Sequence, residues 1–176
     1  SITGYRDLDV DNYVDIDASE WELGDVFVGV DQDQLSQEFQ FLFDDGGRLN
    51  AVFGLYYLNE SITSHQEAYA DDFLVFGPLP LTFLRTVDDD LDTDSYAAFG
   101  QATWQFSDQL SGTLGLRYTY ESKDYFRTTS TFSNLAALVG TFEYTDDESW
   151  DALTPSFGLD YQLRDDSLLY ASAGRG

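Results

Sequence analysis

The chain has 176 residues, with 33 Asp and Glu against eight Lys and Arg, a formal net charge of -25, one histidine and no cysteine. So acidic a balance argues against nucleic-acid binding, which needs Lys and Arg for phosphate; the missing cysteine excludes a disulfide scaffold and a thiolate metal site. No apolar run reaches the ~18 residues of a transmembrane helix, so a membrane could be crossed only by strands closed into a barrel, since lipid tolerates no unpaired sheet edge.

Residues 1–7, SITGYRD, are a short strand candidate whose apolar content is Ile2 and Tyr5. Residues 8–34 follow as a long acidic connection, with a small strand candidate at Val26 to Val30. Residues 35–43 then alternate: Leu35, Phe39, Phe41 and Phe43 share one face, with Gln37 the exception, against Ser36, Glu38 and Gln40. Period two marks a strand, because successive side chains of an extended chain point to opposite sides. Asp44, Asp45, Gly46 and Gly47 make a tight turn, where glycine supplies positive φ. The partner strand, residues 48–58, puts Leu49, Ala51, Phe53, Leu55 and Tyr57 on one side. Its other side, Asn50, Val52, Gly54, Tyr56 and Leu58, is too apolar for a water-filled lumen and suggests a plugged or tightly filled interior.

Residues 59–94 are the longest connection and hold His65, Pro78, Pro80 and a second hidden-strand candidate at Phe73 to Phe76. The clearest hairpin comes next. In residues 95–106, Tyr96, Ala98, Gly100, Ala102, Trp104 and Phe106 oppose Gln101, Thr103 and Gln105; in residues 110–121, Leu110, Gly112, Leu114, Leu116, Tyr118 and Tyr120 oppose Ser111, Thr113, Gly115, Arg117, Thr119 and Glu121. Residues 122–149 form a third long loop with an apolar patch at Leu135 to Val139. Residues 153–163 alternate again, Arg164 to Ser167 turn, and residues 168–176 begin the last strand.

Strands of this length, apolar on one face with aromatic residues at both ends, are what a lipid-facing barrel wall requires. Long connections alternate with tight turns, and 25 of the 33 acids lie between Leu8 and Asp33, Glu60 and Asp94, and Glu121 and Asp151, as expected of short periplasmic turns and long acidic extracellular loops. Tyr57, Tyr96, Trp104, Tyr118, Tyr120 and Tyr161 are expected at the lipid or its interface, and Arg117, Glu121, Lys123 and Asp160 toward the lumen. Single-chain bacterial barrels have even strand numbers from about eight upward. Seven strands therefore predict an arc of a larger barrel, and the start at Ser1 without Met or signal peptide fits an internal piece of a longer protein.

The blocks QLSQEFQF, GRLNAVFGLYYLNE, TDSYAAFGQATWQFSDQLSGTLGLRYTYESKD, SWDALTPSFGLDYQL and SLLYASAGRG, in this order and spacing, resemble the middle barrel strands of TonB-dependent outer-membrane receptors. The resemblance covers the strands and turns but not the long loops. It implies a share of a 22-stranded barrel in the bacterial outer membrane, taking up a scarce nutrient such as a siderophore, cobalamin or saccharide. The partners it implies are outer-membrane lipid, a small nutrient ligand, and TonB reached through parts not in this chain, since the plug and TonB box have no counterpart here. The rival readings are a small self-sufficient outer-membrane barrel with cation-binding loops and a filament-forming β-protein.

No enzyme is expected. His65 has no patterned Ser or Cys beside it from which to build a nucleophilic triad. The acid clusters Asp88, Asp89, Asp90, Asp92, Asp94 and Asp9, Asp11, Asp15, Asp17 offer oxygens that calcium prefers, but neither has the glycine and terminal glutamate of an EF-hand. No catalytic, cofactor-binding or metal-ligating residue and no cofactor is assigned.

Overall fold

Alternation becomes, in the structure, a single antiparallel sheet. The structure is a computed structural model that describes residues 1–16, 18–20, 23–70, 82–136 and 139–175. Its strands are β1 (Ile2–Asp15), β2 (Asp25–Asp44), β3 (Leu49–Ala70), β4 (Phe83–Ser107), β5 (Leu110–Ser133), β6 (Gly140–Arg164) and β7 (Ser167–Gly174). They lie side by side in chain order, so every connection is a hairpin.

At one end the hairpins close tightly. Asp44 Oδ1 accepts from Gly46 N at 2.8 Å, and Asp45 Oδ1 from Gly47 N at 2.8 Å and Leu49 N at 3.0 Å. Gly46 takes φ +70°, the left-handed conformation that this turn needs. The Leu49 and Gly47 amides hold the Asp45 carboxyl below its ordinary value by favouring the charged form. Residues 108–109 and 165–166 make the other two short turns.

The strands run much further than hydropathic alternation predicts. Most of residues 8–34, 59–94 and 122–149, expected as loops, continue the same hairpins as strand, leaving connections at residues 16–24, 71–82 and 134–139. In these extensions the pattern of the lipid band is lost: on β1 and β2 it inverts, with Leu8, Val10, Val14, Val26, Val28 and Val30 on the face opposite the band against Asp7, Asp9, Asp11, Asp15, Asp25 and Asp31, and on β3 from Asn59 to Glu67 both sets are largely polar. Val26 to Val30 is the start of β2 and not an eighth strand. Phe73 to Phe76 lies outside the described residues, as do residues 137–138 of the Leu135 to Val139 patch.

Register decides what each face presents, because residues directly opposite in an antiparallel pair share a face. One row runs Gln37, Tyr57, Tyr96, Tyr120, Asp151 across β2 to β6; the next runs Phe39, Leu55, Ala98, Tyr118, Leu153, and further rows end at Trp104, Gly112, Leu159 and Ala171. This apolar face stands open: Leu114 is 65% exposed and Phe53 57%, and among the described residues the buried hydrophobic side chains are Ala70 and Ala97. A one-layer sheet has no second layer to cover it, so the complement must come from outside the sheet. From Tyr120 to Leu110 the band runs ~34 Å along β5 at ~3.4 Å per residue. A strand tilt of ~40° makes it ~26 Å high, the height of the apolar band on a transmembrane barrel.

Gln37, the polar exception on β2, sits with Asp151 at the tyrosine edge of this face. Its amide donates to Ser1 Oγ at 3.0 Å and Ile2 O at 3.1 Å and accepts from Thr3 Oγ1 at 2.6 Å, all from the β1 side.

Candidate functional site

The opposite face carries the positive charge. Arg6, Arg85, Arg117, Lys123 and Arg127, five of the eight bases, all lie on it by register: Arg6 faces Gln34, Arg85 faces Thr131, Arg117 faces Phe99, Lys123 faces Thr93 and Arg127 faces Asp89. Their positions in β5, at 117, 123 and 127, differ by even numbers, which keeps them on one side of an extended chain.

Four of the five lie near aromatic rings. The Arg117 guanidinium carbon is 5.6 Å from the Tyr56 ring centre and 5.8 Å from that of Phe99, joining β3, β4 and β5, and its Nε donates to Thr119 Oγ1 at 3.0 Å. Phe99 can lie there because Gly54 opposes it: a Cβ on Gly54 would stand 2.1 Å from the Phe99 ring. Lys123 Nζ lies 5.8 Å from the Trp150 ring and 3.5 Å from Glu121 Oε1. Arg85 approaches Phe83 at 5.8 Å, and Arg127 approaches Tyr125 at 5.6 Å. Such cation–π contacts contribute ~0.5–1 kcal/mol at exposed sites and more when dry.

Asp89 anchors the upper part of this wall. Arg127 grips it through Nε at 2.6 Å and Nη2 at 3.1 Å, Tyr125 donates its hydroxyl at 2.5 Å, and Ser64 Oγ adds a bond at 3.3 Å. Burial alone would raise the Asp89 carboxyl, but the Arg127 and Tyr125 hydrogen bonds outweigh it and hold it below the ordinary carboxylate value. Arg127 is raised in return, chiefly by the Asp89 hydrogen bond. Tyr125 is raised by burial and then by the neighbouring carboxylate.

The negative charge lies mostly across the sheet. Beyond the tyrosine row the apolar face turns polar at Asn59, Asp94, Ser122 and Ser149 and then acidic, with Asp7, Asp33, Asp92, Asp124 and Asp147 in one row, broken only by Ser61. His65 stands on this acidic side, Nδ1 2.6 Å from Asp88 Oδ1 and Nε2 3.1 Å from Glu67 Oε1. Both ring nitrogens thus meet carboxylates, and the Asp88 bond, followed by that of Glu67, raises its pKa. Of the two expected acid clusters, Asp88, Asp90, Asp92 and Asp94 lie on this side while Asp89 points the other way. Asp9, Asp11 and Asp15 also lie on the acidic side, and Asp17 is outside the described residues. Among the described residues no three His, Asp or Glu side chains converge as a metal site.

Arg117, Glu121, Lys123 and Asp160 share the polar face as the alternation predicts, and Tyr57, Tyr96, Trp104, Tyr118, Tyr120 and Tyr161 share the apolar one. Sequence reasoning placed Tyr56 on the inner side but missed Phe99, Tyr125, Arg127 and Trp150 as companions on the polar wall. The even spacing of Arg117, Lys123 and Arg127 is the signal that would have added Arg127; which rings meet them depends on register between strands.

The family model described as TonB dependent receptor-like, beta-barrel matches residues 2–176. Among solved structures, the ferric yersiniabactin uptake receptor FyuA from Yersinia pestis superposes with a TM-score of 0.69 at 19% identity, covering 85% of this chain and 21% of that one. The chain thus spans about a fifth of that receptor's length. The toluene transporter TbuX of Ralstonia pickettii aligns at 11% identity over 98% of this chain and 62% of that one, with a TM-score of only 0.19. No curated protein matches the chain by sequence. With the family model matched along nearly all its length, the chain belongs to the TonB-dependent receptor-like β-barrel family, whose members are bacterial outer-membrane proteins and not enzymes.

Proposed function

We propose that this chain forms part of the barrel wall of an outer-membrane receptor that takes up an anionic, aromatic-bearing chelate, with energy relayed through TonB. The observation that carries this reading is the sidedness of charge. Arg6, Arg85, Arg117, Lys123 and Arg127 all face away from the lipid band, and the last four lie near aromatic rings. The name of FyuA, an uptake receptor for a ferric siderophore, supports a ligand of that class.

The physical account has two parts. Guanidinium and ammonium groups attract an anion, and the rings beside them offer flat apolar area for stacking while leaving the cations' outer faces available. Arg117, between Tyr56 and Phe99, contributes at the level of the lipid band; Arg127 is committed to Asp89 and contributes chiefly by keeping Tyr125 in place. The wall around Arg117 is crowded with Tyr56 and Phe99, in keeping with a filled interior and not an open pore.

The test is ligand binding by the detergent-extracted protein, read by tryptophan fluorescence, with ferric yersiniabactin, a ferric catecholate, cobalamin and a maltodextrin as probes. The anionic ferric catecholate should bind, and Arg117→Gln and Lys123→Gln should each weaken it about 3- to 30-fold, equivalent to ~0.7–2 kcal/mol. Binding of only the neutral probes, or affinity indifferent to both substitutions, overturns the reading.

A further inference from the structure

The lipid-facing band is not uniform. Along β4 its outward positions are Ala98, Gly100 and Ala102, while β3 beside it presents Phe53 and Leu55 and β5 presents Leu114, Leu116 and Tyr118. A floor of small side chains between two tall walls makes a groove, with two adjoining hollows of about 430 and 500 Å³ that share Ala98 and Tyr118. Tyr57 and Tyr96, with ring centres 5.0 Å apart, stand at one end, and Trp104 stands at the other. Between these rings the floor from Ala98 to Ala102 follows β4 for ~14 Å at ~3.4 Å per residue.

We propose that this groove binds one acyl chain of an outer-leaflet lipid as a retained ligand, distinct from the exchanging lipid around it. The groove is continuous with the face that meets lipid, and the side chains that line it there are almost all apolar. Atoms lining an unfilled hollow forfeit their dispersion contacts, so a chain laid along the groove recovers contacts on its floor and both walls where a flat surface offers one side.

The polar end sets the direction. Tyr57 donates its hydroxyl to Asp94 at 3.1 Å and Asn59 its amide to the same oxygen at 3.2 Å, immediately above the tyrosine row. The groove therefore opens at the level where tyrosine girdles meet headgroups, on the side of the long hairpins. A chain entering there runs down β4 from the outer leaflet. The proposal is independent of which ligand the opposite face takes.

Native mass spectrometry of the protein extracted from outer membranes in mild detergent tests this. A peak carrying one lipid mass should survive detergent exchange. The double variant Ala98→Leu with Ala102→Leu, which raises the floor, should abolish it, whereas Ala171→Leu, which adds one such side chain on the outward side of β7, should leave it intact. Retention of lipid by the double variant, absence of lipid from the unaltered protein, or equal loss in Ala171→Leu would overturn the proposal. If the double variant fails to fold, Ala98→Leu alone is read by the same criteria.

Discussion

Leu116 gives the most direct test of which side of the sheet meets lipid. It lies on the apolar face between Gly100 and Pro155 and is 50% exposed. It is four residues below Tyr120, ~14 Å along the strand. At a tilt of ~40° that places it ~10 Å beneath the tyrosine girdle in a band ~26 Å high, close to the midplane. Replacing it with lysine strands an ammonium group at that depth, which costs ~2–4 kcal/mol on the lipid face of a barrel. The matched control is Gln101→Lys. Gln101 follows Gly100 on β4, at nearly the same depth, but faces the polar side opposite Gly115, where there is room and no hydrocarbon. Urea-driven unfolding from lipid vesicles, followed by tryptophan fluorescence, should show Leu116→Lys losing ~2–4 kcal/mol and Gln101→Lys less than ~1 kcal/mol. Equal losses, or a larger loss for Gln101→Lys, would refute the assignment of the faces.

Other outcomes follow from the polar wall and the acidic face. Gly54→Ala forces a Cβ to within 2.1 Å of the Phe99 ring and should destabilise by ~1–3 kcal/mol, a loss that Phe99→Ala in the same molecule relieves, measured as a double-mutant cycle. Arg127→Met should destabilise in a pH-dependent way. Asp89 titrates below its unfolded value of ~3.9, so the pair's contribution is fully present above that value and fades as pH falls through the lowered folded one; unfolding midpoints at pH 7 and pH 3 should differ between the variants by less at pH 3. His65 behaves with the opposite sign, its stabilisation being complete below ~6.5 and lost as pH rises through the raised folded value. An NMR titration should show a midpoint above 6.5 that drops in Asp88→Asn, and no drop would dismiss the pair. Asp124→Asn removes a carboxylate directly opposite both Asp92 and Asp147 and should raise the unfolding midpoint at low salt, with the gain vanishing as salt is added.

The faces of the hairpin spanning residues 95–121 were legible because, Ala97 and Phe99 apart, each strand sets apolar side chains against polar ones. The extensions were not. Asn59 to Glu67 alternates between Asn59, Ser61, Thr63, His65 on one side and Glu60, Ile62, Ser64, Gln66 on the other, and neither set announces lipid or core. What ordered that segment as strand was backbone pairing with its neighbours, which continues whether or not hydropathy does. The polar wall was half legible for a related reason. Arg117, Lys123 and Glu121 could be placed on one side by counting, but the rings that meet them come from other strands: Tyr56 from β3, Phe99 from β4 and Trp150 from β6.

Sequence alone determined that the chain is antiparallel β-structure with one lipid-facing side, because side-chain direction along a strand has a period of two and needs no knowledge of neighbours. It also determined the order of long and short hairpins, since glycine and paired acids mark the tight ends. The tertiary structure decided the register. A slip of two residues between strands would keep every side chain on its face, yet would part Phe99 from Gly54 and Asp89 from Arg127. Local preferences do not distinguish those alternatives. Contacts between strands far apart in the chain do, and they set the charge of one face, the groove in the other and the height of the band between them.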